Sequence, residues 1–191
     1  MTHSGGGERA ESPPPWALPV TVAGNLVLVR EGGVLVTVGA VCVYPVGFEF
    51  YLTFGFDPRD GAAWRTRAPG KQVLGFHMRT PEERESATRI VVGFPGGKSA
   101  DSADMTTGNV AHQEPTLRFS GGGSVIRPYF PVLWAESRWW VTPLPPPGLV
   151  DFSVFLHGAA EPDGSASMDA ALIIEAAARS QVLWPAAETA P

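Results

Sequence analysis

Cysteine occurs once in this chain and lysine twice, and the two shortages exclude different chemistries. A lone Cys42 permits no intramolecular disulfide and no multi-cysteine zinc site. It sits in the apolar run "VTVGAVCVYPV", where a buried thiol behaves as a small hydrophobe. With only Lys71 and Lys98 among the 14 basic residues and a formal charge of −5, no basic stripe exists to meet a phosphate backbone, so nucleic acid is not an expected partner. Long apolar runs are also missing. None approaches the roughly 20 residues of a membrane span, and "MTHSGGGERAESPPPW" lacks the basic start and apolar core of a secretory leader. The expectation is a soluble, cytoplasmic protein without membrane attachment.

What is plentiful is glycine (22) and proline (19), which punctuate apolar runs instead of replacing them. The chain is therefore loop-rich but able to bury a core, and 191 residues suit one domain hiding roughly 70% of the surface of its unfolded form. Residues 1–15 lack apolar periodicity and read as a flexible tail, 16–185 as the domain, and 186–191 as a flexible end.

Alternation of period two defines the strands. From 48 to 56, Phe48, Phe50, Leu52, Phe54 and Phe56 share one face, and Glu49, Tyr51, Thr53 and Gly55 the other. From 34 to 44 the even positions Val34, Val36, Val38, Ala40, Cys42 and Tyr44 form the apolar parity. "YPVG" between them supplies a turn, so the two pair antiparallel. Further strands are expected at 71–78, 88–94, 116–120, 138–144 and 149–157, with a turn or two of helix at "TPEERESA". A longer helix is expected at 169–181, with Asp169 as its cap and Pro185 beyond its end. Many short strands and one terminal helix predict a mainly β chain forming a single antiparallel β-sandwich, immunoglobulin-like or jelly-roll-like.

Three stretches invite a chemical reading. "RIVVGFPGGKSADSAD" resembles a strand feeding a phosphate loop, but only three residues separate Gly93 from Gly97, one short of the four required, and no apolar helical period follows. It reads as a β-hairpin with Lys98 at its tip, and no nucleotide is expected. "HQE" at 112–114 has the His-x-Glu spacing of zinc deaminases without their downstream cysteine pair. His3, His77, His112 and His157 include no pair at helical ligand spacing, so neither metal nor cofactor is expected. In "VLWAESRWWVTPLPPPG", Trp139 and Trp140 are adjacent on a strand and must face opposite ways. Either the helix or a loop covers the outer indole, or it serves with Trp134 and Arg138 as a binding surface for protein or sugar. The small Ala176 and Ala177 favour the helix as the cover. "TPLPPPG" reads as a rigid connector or as a ligand for a PxxP-reading domain.

The blocks "YPVGFEFYLTF" (44–54), "RIVVGFPGGKSA" (89–100), "WAESRWWVTPLPPPGLVDF" (134–152) and "DAALIIEAAARSQVLWP" (169–185) resemble a group of uncharacterised actinobacterial proteins associated with a β-sandwich. The resemblance implies an order of strands and a final helix, and no activity. Three function classes are consistent with these residues. A non-catalytic protein-interaction or structural module, partnered by another protein or by itself, would show an exposed apolar patch or open sheet edge. A carbohydrate or small-ligand binder would show a concave site lined by Trp134, Trp139 or Trp140. An enzyme would bring His77, His112 or His157 to a carboxylate.

Overall fold

The computed structural model describes residues 12–57, 88–104, 115–125, 133–156 and 158–184, with backbone alone for 123–125, 133 and 134. The expected strand at 71–78, the short helix in "TPEERESA" and all four histidines lie outside these residues.

The chain is mainly β. The described strands are β1 (Ala17–Leu18), β2 (Val20–Glu31), β3 (Val34–Tyr44), β4 (Gly47–Phe56), β5 (Arg89–Gly93), β6 (Ser99–Asp101), β7 (Thr116–Val125), β8 (Leu133–Thr142), β9 (Leu149–Phe155), β10 (Gly164–Asp169) and β11 (Gln181–Val182), with one helix, α1 (Ala170–Arg179). They build three sheets: β2-β3-β4-β8-β7, β10-β9-β5-β6, and the two-stranded β1-β11. Every pairing is antiparallel.

β4 sits in the middle of the large sheet and obeys its sequence pattern. Phe48, Phe50, Leu52, Phe54 and Phe56 are all in the core, while Tyr51 and Thr53 keep partial exposure. β3 departs from its pattern. Its register against β4 shifts between Val38 and Val41, so Val34, Val36 and Val38 point inward before the break and Val41 and Val43 after it. The extra residue swings Cys42 and Tyr44 to the outer face. β2 carries a matching shift between Ala23 and Leu26, and Gly24 is needed there because a Cβ would stand 2.3 Å from the Gly39 carbonyl oxygen.

One core cluster draws on both larger sheets, with Ile90, Val92, Val150, Phe152 and Val154 from the smaller one meeting the β3–β4 residues. Phe50 and Phe152 pack edge-to-face with ring centroids 5.1 Å apart. β10 runs beside β2 and β6 beside β7. At the first of these seams a side chain on Gly164 would collide with the Leu28 carbonyl.

The helix forms where the sequence predicts it. Asp169 is the N-cap, its Oδ1 accepting the Ala171 N–H at 2.8 Å, and Arg179 lies in the last turn. Its buried residues Ala170, Ile173 and Ala176 join the core cluster against β2, β3 and β10. The expectation that it covers the outward tryptophan of β8 is therefore corrected: emerging from β10 beside β2, it lies at the β2–β3 side of the large sheet, two strands or more from β8.

Candidate functional site

β8 positions Arg138, Trp139 and Trp140, and its pairing decides where each points. Trp139 stands opposite Phe50 and Phe119 on the inner face. It is 2% exposed, edge-to-face with Phe119 at 5.8 Å, and its Nε1–H donates to Ser137 Oγ at 2.8 Å. That bond accounts for a serine buried among aromatics. Trp140 stands opposite Glu49 and Arg118 on the outer face and is nonetheless 0% exposed. Tyr44 meets it edge-on at 5.5 Å, and Gly47 makes room for its ring, since a Cβ there would lie 2.8 Å from Cζ2 and Cη2. Trp134 holds the register position opposite Gly55 and Val125, and its side chain is outside the described residues.

Around Trp140 the outer face carries a polar cluster. Glu49 is 6% exposed and accepts the Ser120 Oγ–H at 2.5 Å. Arg138 hydrogen-bonds Tyr51, and its guanidinium lies over Gly121, where a Cβ would stand 2.5 Å from one terminal nitrogen. Tyr44 and Tyr51 are both held above their ordinary value of 10.0. Burial is the first cause for each, reinforced by the neighbouring Glu49 carboxylate, while Arg138 pulls the other way. The phenols thus remain neutral donors at physiological pH. Two contacts join members of this cluster, Ser120 with Glu49 and Arg138 with Tyr51. Among the described residues no group of three His, Cys, Asp or Glu side chains could hold a metal ion.

The loop between β5 and β6 is a hairpin turn. Gly96 and Gly97 take positive φ (87° and 82°), Phe94 N–H donates to the Lys98 carbonyl at 2.7 Å, and the chain continues as β6.

Half of the eight exposed large apolar side chains among the described residues gather at a place the sequence reading did not single out. β1 and β11 form a ribbon in which Ala17 pairs with Val182 and Leu18 with Gln181. Beyond the ladder, the Trp16 carbonyl accepts both Leu183 N–H at 2.8 Å and Trp184 N–H at 3.4 Å. Leu18, Val182, Leu183 and Trp184 are all exposed, Trp184 to 66%. The signal was there to be read: "VLW" at 182–184 is an apolar run just past the expected helix end at 181, in no expected strand or helix.

Comparison of the chain with protein-family models, with curated proteins and with solved structures finds no match. No helix among the described residues is long and apolar enough to cross a membrane.

Proposed function

We propose that this chain is a non-catalytic protein-interaction module, built as a single β-sandwich and engaging another protein chain through the β1–β11 ribbon. The observation that carries the reading is the ribbon itself: a two-stranded element of marginal intrinsic stability that presents Leu18, Val182, Leu183 and Trp184 to solvent. Tryptophan is the residue type most enriched where protein contacts concentrate their energy. In the polar cluster, Glu49 is buried and engaged by Ser120, and Arg138 is engaged by Tyr51, which favours a structural role for both.

An immunoglobulin-like sandwich is part of the proposal. Strand order supports it: if β3, β4, β8 and β7 are read as A, B, E and D, then β5, β6, β9 and β10 fall as C, C′, F and G in the facing sheet, with β2 as an additional edge strand. Membership of the actinobacterial group and a cytoplasmic setting belong to the same reading, the latter supported by the lone Cys42.

The test is a pair of variants, Leu18→Ser and Trp184→Ser, purified from a native host beside the unaltered chain. Both should keep the melting temperature and lose the partner, whether a different protein or a second copy, that accompanies the unaltered chain. A partner retained by both variants overturns the proposal.

A further inference from the structure

The β1–β11 ribbon has two edges, and its hydrogen bonds decide which of them is open. Because Leu183 N–H donates to the Trp16 carbonyl, Ala17 and Val182 form a pair whose own N–H and C=O groups point away from each other, toward the two outer edges. The β1 edge is closed. Ala17 N–H turns to the Pro14 carbonyl at 3.2 Å, and the next positions on that edge in either direction are Pro15 and Pro19, which have no N–H to offer. Ala17 is also buried.

The β11 edge is open at one residue. Ser180 N–H is spent on the Ala177 carbonyl at the end of α1 and Trp184 N–H on the Trp16 carbonyl, which leaves the N–H and C=O of Val182 facing outward between them with no partner among the described residues. Gln181, Val182, Leu183 and Trp184 are all exposed, so this edge is reachable. That single opening restricts what can fill it. A long foreign strand gains one residue's worth of main-chain pairing here, and the rest of its length meets groups already spent. A second copy of β11, laid antiparallel across a two-fold axis, matches the opening in full: Val182 stands opposite Val182 of the second copy and the two exchange both bonds. The valines make a β-branched cross-strand pair. Leu18, Leu183 and Trp184, exposed at 50, 41 and 66% beside that residue, are brought next to the same three of the other chain.

We infer that the ribbon's partner is a second copy of this chain, joined edge to edge at Val182 into a four-stranded β1-β11-β11-β1 sheet. This rests on the reading of the ribbon as the docking element. The ribbon supplies fewer residues than the roughly 20–30 a side of a standard interface, so the dimer is reversible.

Sedimentation equilibrium of the full chain, from about 1 μM to about 1 mM, should show a monomer–dimer equilibrium. Val182→Lys and Val182→Glu should each weaken it roughly tenfold or more, because each sets like charges opposite one another across the axis. An equimolar mixture of the two variants should recover the dimer, which only pairing of residue 182 with its own copy provides. A chain that stays monomeric throughout, a dimer that both charges leave intact, or a mixture that associates no better than its components overturns the inference. Should the chain stay monomeric while a foreign protein accompanies it and is lost in Leu18→Ser and Trp184→Ser, the ribbon reading stands and the self-pairing alone fails.

Discussion

A single inserted residue in β3 decides what the outer face of the large sheet carries. Before the shift at Val38/Val41 the even positions face the core, and after it the odd ones do, which takes Cys42 and Tyr44 out of the core and sets Tyr44 against Trp140. Parity alone could not show this, because Gly39 and Ala40 are small enough to fit either face. In β4, by contrast, large apolar residues hold the even positions and all five are in the core as read, although Glu49 and Gly55 on the other face are buried as well. Leu52→Ala should therefore cost about 2–5 kcal/mol and Thr53→Ala much less, by urea denaturation; equal costs would refute the facing of β4. Gly47→Ala should cost about 1–3 kcal/mol, because its Cβ would press on both the Val141 carbonyl and the Trp140 ring. An altered Trp140 emission should accompany the loss. Tyr44 and Tyr51 set a third expectation. Because folding raises their pKa above 10.0, their contribution is intact below that pH and is lost as pH rises through the folded-state values. Stability should fall above pH 10, and the double change Tyr44→Phe and Tyr51→Phe should flatten that fall.

Among the elements, those with strong local signals were legible and those defined by their neighbours were not. The hairpin at Pro95-Gly96-Gly97 and the helix after Asp169 announce themselves through turn and cap chemistry. β2 escaped notice because the shift near Gly24, together with Asn25 at φ 49°, interrupts its alternation. β10 escaped because it is an edge strand of small polar residues, with Ser165 and Ser167 exposed and Gly164 required by the close approach to Leu28. Where the helix lands was equally hidden, since its position follows from β10 running beside β2. Ile173→Ala should cost about 2–5 kcal/mol while leaving Trp140 emission unchanged, and Leu172→Ala should cost little. A red-shifted Trp140 signal on losing Ile173 would return the helix to the tryptophan.

At the scale of the whole molecule, two of the four residues that looked most functional in the sequence, Trp139 and Trp140, are withdrawn from solvent, while Arg138 is half-exposed. Trp139 and Trp140 are among the largest fully or nearly fully buried side chains, and Arg138 is held by Tyr51, so the aromatic wealth of β8 builds the sheet. Among the described residues the tryptophan most exposed to solvent is Trp184, next to the ribbon that pairs residues 17–18 with 181–182. A photo-crosslinking residue in place of Trp184, with a second chain carrying it at exposed Thr21 as the control, tests this division of labour most directly. Irradiated in a native host, the chain substituted at 184 should give one dominant protein adduct that Leu18→Ser abolishes, and the chain substituted at 21 should not give it. Equal adducts from both positions, or none from 184, would contradict the assignment of binding to the ribbon.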